Sequence, residues 1–230
     1  MTSVRHAGLI TLCDYDLRGR YLTMELCEGG SLRARLRAKT LPPATALSRA
    51  AEVAETLAAL HRAGIAHGDV KPDNLLFRGP GRSLRCATSD ERAHGDLVLG
   101  DFGVARRFRA TGGVAEKLAL PIGTRGYLAL ERLHGEPLQA SSDLYSLGVL
   151  LVELCLGTLP AVFTEWPPRS AEQKMTTVIS ALTATEDAAS FAGFRAPVTE
   201  LLRGLLSDQP AERPSAAAVA AALYAVSDAP

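Results

Sequence analysis

Asp69 and Asn74 lie five positions apart with Pro72 between them. A proline inside a helix removes a backbone hydrogen bond and clashes with the turn before it, so these two side chains project from a loop and not from one helix face. The flanking sequence predicts ordered structure on both sides of that loop. Upstream, Pro42-Pro43 opens a helical pattern that sets Leu47, Ala50, Ala54, Leu57 and Leu60 on roughly one face, and Gly64 closes it at the usual C-terminal position. Downstream, Leu75 to Phe77 and Leu97 to Leu99 read as two short strands. Between them Arg78 to Asp96 is polar and without periodicity, which predicts a surface insertion or loop.

The rest of the chain is punctuated in the same way. Leu9 to Asp14 and Tyr21 to Cys27 read as two strands joined by a turn at Arg18-Gly19-Arg20, and Ser31 is placed to cap a short basic helix through Arg37. The most apolar helix is expected from Ser141, capped by Ser141 or Ser142 and stopped by Gly157, at the centre of the core. Three more helices are expected around 171–184, 197–207 and 215–226. With 230 residues, 47% of them hydrophobic and 22% charged, the chain can bury a sizeable core.

Basic and acidic residues both number 25, so no overall field favours nucleic acid or an anionic membrane. Cys13, Cys27, Cys86 and Cys155 are scattered without a C-x-x-C pair, which suggests neither a zinc site nor a disulfide framework and makes a reducing cytoplasm the simplest compartment. The first residues lack the pattern of a secretory signal. The run from Leu144 to Pro160 contains Ser146 and Glu153 and fits a buried helix better than a membrane span.

Phosphoryl transfer asks a protein for a carboxylate that orients the attacking hydroxyl and for oxygen ligands that hold magnesium on the phosphates. Asp69, Asn74 and Asp101 supply that set, the last in Asp101-Phe102-Gly103 beside a predicted strand. With His67-Gly68-Asp69-Val70-Lys71-Pro72-Asp73-Asn74, Ala129-Leu130-Glu131 and the stretch from Asp143 to Gly148 in the same order, the chain resembles the C-terminal lobe of eukaryotic-type serine/threonine protein kinases. The resemblance implies an α+β, kinase-like fold: a mainly helical C-lobe over residues 28–230 and a short hairpin remnant of the N-lobe with the hinge over 1–27. It also implies a catalytic loop at 67–74 and an activation segment at 101–131.

Carried over, Asp69 looks like the residue that accepts or orients the substrate hydroxyl proton and Lys71 like the lysine that neutralises charge on the moving phosphoryl group. Asn74 and Asp101 look like the magnesium ligands. Lys71 and Gly123-Thr124-Arg125-Gly126-Tyr127 resemble serine/threonine kinases, which implies a protein Ser or Thr acceptor, with Thr124 reaching toward Asp69 and Lys71. Met24 resembles the residue that guards the adenine pocket, and the backbone of Glu25 and Cys27 the groups that bind adenine; the implied cofactors are ATP and Mg2+. Glu131 resembles the glutamate that pairs with a distant arginine, here Arg213, and Asp143 the aspartate that holds the catalytic-loop backbone; a plain helix cap is its other reading. Leu130 replaces the family's proline, which loosens the local backbone.

Arg106, Arg107 and Arg109 form a basic stretch for which a solvated loop is the simpler reading, and His61, His94 and His134 have no ligand spacing. Gly68 stands where many kinases carry an arginine that pairs with a phosphorylated activation loop, so weak control through Thr111 is expected. The family's Gly-rich loop, strand lysine and helix glutamate normally precede the segment beginning at His6, before which this sequence has five residues. The resemblance therefore covers about the C-terminal two-thirds to three-quarters of a kinase domain, which is expected to bind ATP poorly alone. Two other readings stand beside an active kinase: a pseudokinase-like scaffold, against which the complete Asp69, Lys71, Asn74 and Asp101 set argues, and a small-molecule phosphotransferase of the aminoglycoside and choline kinase type, which Gly68 favours and the segments at 123–131 and 143–148 oppose.

Overall fold

The computed structural model describes residues 4–16, 18–38, 40–79, 97–108, 123–184 and 193–227. Residues 80–96 of the expected insertion, with Cys86 and His94, lie outside the described residues, as do Lys39, Arg109, Thr111 and Lys117.

The helix opened by the proline pair forms as α2 (Pro43–Arg62), with Pro43 in the first turn, where a missing N–H removes no intrahelical bond. Its apolar stripe, Leu47, Ala50, Ala54, Leu57 and Leu60, is buried. Gly64 takes φ +75° and donates its N–H to the His61 carbonyl at 3.0 Å, which turns the chain toward the catalytic loop. The most apolar segment forms α4 (Ala140–Leu156), buried from Ser142 to Cys155 and ended by Gly157 at φ +73°. It packs on α2 and on α6 (Arg195–Leu205), and α2 in turn lies along α7 (Ala216–Ser227). At Gly148 a Cβ would come within 2.8 Å of Leu205 Cβ, so α4 and α6 approach at a distance that admits only glycine there. Between them in sequence lies α5 (Ala171–Ala184).

The short helix α1 (Leu32–Ala38) starts as expected, with Ser31 Oγ accepting the Ala34 N–H at 3.3 Å. The expected serine cap of α4 is corrected by the structure. Gln139 occupies the cap position without a side-chain bond, and Ser142 Oγ instead donates to Glu131 Oε1 at 3.1 Å. Glu131 itself sits on a one-turn helix, α3 (Leu130–Leu133), that the sequence did not suggest. Leu130 stands at its first position, where proline would also fit.

Among the described residues three two-stranded antiparallel ribbons complete the fold. The ribbon of β4 (Leu75–Phe77) and β5 (Leu97–Leu99) is the expected pair, registered Leu75 to Leu99 and largely buried. In the ribbon of β3 (Ile65–Ala66) and β6 (Arg106–Arg107), β3 directly precedes the 67–74 loop and β6 follows the Asp101-Phe102-Gly103 turn in the chain. The N-terminal hairpin, β1 (Leu12–Asp16) and β2 (Tyr21–Met24), begins later than the apolar run at Leu9. Leu9 and Ile10 leave it to bridge β5, where Ile10 N–H meets the Leu99 carbonyl at 3.1 Å and Leu9 joins the core that the hairpin lacks. The hairpin itself is exposed, Leu22 at 64%. No helix among the described residues is long and apolar enough to cross a membrane. The result is a mainly helical body with a small β remnant, the kinase-like architecture that the motifs imply.

Candidate active site

The 67–74 loop is hung from one buried carboxylate. Asp143, in the first turn of α4 and wholly buried, accepts the N–H of His67 at 2.8 Å and of Gly68 at 2.7 Å, and its Oδ2 lies 2.8 Å from His61 Nε2. A buried carboxylate is tolerated only when its oxygens are hydrogen-bonded, and here every bond but one goes to the loop backbone. The backbone-holding reading of Asp143 therefore stands over the plain cap. His61 is part of this anchor, a role that its spacing did not reveal.

Two further contacts fix the loop. The His67 ring is fully buried; Nδ1 accepts the Asp69 N–H at 3.3 Å, so Nε2 is the protonated nitrogen and donates to the Gly100 carbonyl at 2.9 Å. The same ring meets Phe102 edge to face, with centroids 4.9 Å apart. Gly68 takes φ +84°, and a Cβ there would lie 2.7 Å from Leu138 Cδ2 and 3.3 Å from Val104 Cγ2. Its glycine is required by conformation and by space together.

The polar side chains then converge. Asp69 Oδ2 lies 2.6 Å from Lys71 Nζ, and Oδ1 accepts the Thr124 hydroxyl at 2.9 Å and the Thr124 N–H at 3.1 Å. Lys71 Nζ also donates to Thr124 Oγ1 at 2.5 Å. Asn74, nearly buried, donates Nδ2 to the Asp69 carbonyl at 2.8 Å and to Asp69 Oδ2 at 3.0 Å, which leaves its carbonyl oxygen available as a ligand. Burial alone would push the Asp69 carboxyl up, but Lys71, Thr124 and Asn74 hold it below the usual carboxylate range. It is therefore ionised at neutral pH, suited to orienting a hydroxyl and to taking its proton late.

Asp101 stands across this group at φ +57°, next to Gly100, whose N–H bonds the Asn74 carbonyl at 2.9 Å and whose own carbonyl takes the His67 proton. Its carboxylate is exposed, accepts the Gly103 N–H at 3.3 Å, and has no cationic partner among the described residues. No cluster of three or more His, Cys, Asp or Glu side chains among the described residues is arranged to hold a metal. Magnesium on a nucleotide needs one or two protein oxygens, its other ligands being water and phosphate, and the exposed Asp101 carboxylate and the uncommitted Asn74 carboxamide oxygen are donors of that kind.

The structure brings Asp69, Lys71, Asn74 and Thr124 into one network and sets Asp101 on its edge. The hinge residues lie apart from it on β2 and the turn after. Met24 is 46% exposed, and Cys27 is half-buried. The Glu25 N–H bonds the Thr11 carbonyl at 3.0 Å, while its carboxylate takes a two-pronged contact from Arg78, Nε to Oε2 and Nη2 to Oε1, both at 2.8 Å. Arg78 is itself buried and reaches the carbonyls of Ala7 and Leu9, so the residue expected to open a surface insertion instead ties the hinge to the body.

Two buried ion pairs support the site. Glu131 and Arg213 meet at 2.6 and 2.9 Å, the expected pairing. The second escaped the sequence: Arg33 of α1 bonds Asp73 of the catalytic loop at 3.1 Å, the Tyr127 hydroxyl at 2.9 Å, and the buried Glu153 of α4, whose carboxylate Tyr127 also contacts. Arg106 and Arg107 are exposed but on strand β6, paired with β3, and not on the expected loop, and His134 is exposed after α3.

A buried aspartate suspending a His-Gly-Asp loop, with a lysine and a threonine on that aspartate and an Asp-Phe-Gly turn facing it, defines a phosphotransferase of the protein kinase type. The chain matches the protein kinase domain over residues 1–225 and belongs to that family. It is 36% identical over 160 residues to the serine/threonine-protein kinase PknL of Mycobacterium tuberculosis, which covers 68% of this chain and 36% of PknL. It is 38% identical over 169 residues to PkaB of Streptomyces coelicolor, covering 67% and 36%, and 35% identical over 164 residues to pkn2 of Myxococcus xanthus, covering 70% and 18%. The chain thus spans little more than a third of the first two relatives. Members of the family take phosphate from ATP, typically with Mg2+, and pass it to proteins.

Proposed function

We propose that the chain is the catalytic part, 28–230, with the hinge and hairpin, 1–27, of an ATP-dependent serine/threonine protein kinase. The observation that carries this reading is the closure of Thr124 and Lys71 onto Asp69, because it joins the segment that would face a substrate to the carboxylate that would orient its hydroxyl. Asp69 accepts the hydroxyl proton, and Lys71, already 2.6 Å from Asp69, balances charge on the transferred group. Asn74 and Asp101 would hold Mg2+, which neutralises the phosphate oxygens. Backbone groups of Glu25 and Cys27, with Met24 beside them, would receive the adenine. The acceptor is a Ser or Thr of a protein. A cytoplasmic setting is supported by the free thiols of Cys13 and Cys155, the latter pushed up to about 12 by burial and so inert.

Transfer of labelled phosphate from ATP to dephosphorylated casein, by a chain extended upstream with a Gly-rich loop and strand lysine, tests the reading. Asp69→Asn is nearly isosteric and should lower kcat by about a thousandfold with nucleotide affinity almost unchanged, within the range that positioned acid–base groups contribute. Asp101→Asn should instead raise the Mg2+ concentration needed for half-maximal rate. Equal turnover for Asp69→Asn and the parent would remove Asp69 from the mechanism and leave a binding scaffold as the better reading.

A further inference from the structure

The hinge is held at both of its ends by residues 77 and 78. At the downstream end Gly29 donates its N–H to the Phe77 carbonyl at 2.9 Å, and the Phe77 N–H returns to the Gly30 carbonyl at the same distance. The two backbones approach so closely that a Cβ on Gly29 would lie 2.7 Å from Phe77 Cβ and 2.8 Å from the Phe77 carbonyl oxygen, so glycine alone fits there. This pairing fixes where β4 ends, and the next residue, Arg78, reaches the upstream end of the hinge at Glu25.

There the contacts are ionic. Besides its fork on the two Glu25 oxygens, the buried Arg78 guanidinium donates to the Ala7 carbonyl at 2.9 Å and to the Leu9 carbonyl at 3.2 Å. Glu25 Oε1 also accepts the Thr11 N–H at 2.8 Å. Burial pushes the Glu25 carboxyl up, but Arg78 and the Thr11 N–H hold it below the usual carboxylate range, so the pair is charged at neutral pH. One side chain thus joins the stretch before β1, the hinge and the end of β4. The hairpin gives the hinge little of this support: Tyr21, Leu22 and Met24 of β2 are exposed, and a lone two-stranded ribbon is marginal in water.

We propose that Arg78 is a positioning residue for the nucleotide base: by holding Glu25 against Ala7 and Leu9 it fixes the backbone of residues 25–27 and so sets how tightly a purine is bound. The role rests on the protein kinase reading above, and it adds a side chain that supplies no atom to the base, the phosphates or the metal. Backbone groups that read a base have no rotamers with which to adjust, and a misplacement of about 1 Å can cost about a hundredfold. Arginine is required by its planar fork, which spans both carboxylate oxygens and still reaches two carbonyls; lysine keeps the charge as a single point and loses the span.

Two probes separate the base from the phosphates: adenosine carries the first without the second, and tripolyphosphate with Mg2+ the second without the first. Calorimetry measures both on the upstream-extended chain and on its Arg78→Lys variant. Arg78→Lys should raise the Kd of adenosine by at least about tenfold and leave that of tripolyphosphate within about twofold. In the transfer assay the same variant should raise KM for ATP about tenfold with kcat within about twofold. Should Arg78→Lys fail to fold, Glu25→Asp, which keeps both charges and shortens the reach between them, carries the same comparison. Adenosine bound equally by parent and variant overturns the proposal, as does a parent that adenosine does not bind. Both probes weakened alike overturn it too, because that pattern reports a general loosening of the fold. Unmoved adenosine beside measured phosphate transfer rejects the role of Arg78 alone, whereas a tenfold loss of adenosine beside absent transfer rejects only the catalytic part of the kinase reading.

Discussion

Glu131→Gln tests how the buried ion pair behind the site is held. The Arg213 side chain is fully buried, and its guanidinium spends every donor: Nε and Nη2 on the Ser207 carbonyl at 3.1 and 3.0 Å, Nη1 on the Ser141 carbonyl at 2.9 Å, and Nη1 and Nη2 on the two Glu131 oxygens. The amide keeps the shape but removes the countercharge and turns an NH2 toward a donor. Breaking one side of a buried pair costs about 3 to 5 kcal/mol, against about 0 to 1 for an exposed pair. At about 2 to 4 °C per kcal/mol for a chain of this size, the thermal midpoint should fall by roughly 6 to 20 °C. Urea unfolding followed by circular dichroism measures the same loss at 25 °C. Burial pushes the Glu131 carboxyl up, but Arg213 pulls it further down, so its folded pKa is depressed. The stabilisation is therefore present above the unfolded value of about 4.3 and is lost as pH falls through the lower folded value. The parent and Glu131→Gln should accordingly converge in stability as pH falls through that lower folded value. A loss under about 1 kcal/mol at neutral pH, or a gap that persists in acid, would refute the reasoning.

Thr124→Val removes the hydroxyl from both Asp69 and Lys71 and should lower kcat by about 10- to 100-fold, with the acid limb of the kcat/KM profile moving to higher pH because one of the groups holding Asp69 low is gone; Thr124→Ser should restore both, and an unmoved limb counts against the contact. Gly68→Ala combines a left-handed φ with a Cβ 2.7 Å from Leu138 and should destabilise the chain by about 2 to 4 kcal/mol. Adding Leu138→Ala should recover the steric part in urea unfolding, and strictly additive losses would show that Leu138 does not fill that space.

What was legible in the sequence follows from distance along the chain. Asp69, Lys71 and Asn74 sit within one short loop, and a proline and a following strand pin them, so spacing alone carried their grouping. The starts and stops of α2 and α4 were equally local, written in Pro43, Gly64 and Gly157. The supports were not, because each joins residues that look like surface charges when read singly. Arg78 lies 53 positions from Glu25, and Arg33 lies 120 from Glu153; nothing near either arginine announces a buried partner. Ser142 illustrates the competition, since its local role as a cap lost to a carboxylate 11 positions away that needed a donor. Leu9 left its strand for a similar reason, finding buried neighbours at Leu99 that the exposed hairpin does not offer. A motif thus states which atoms do chemistry, while the charges that fix those atoms are chosen by the packing of distant helices. Asp143 belongs to both sets: its motif position was readable, yet its work, holding His67, Gly68 and His61 at once, appears only when α2 and α4 are brought side by side.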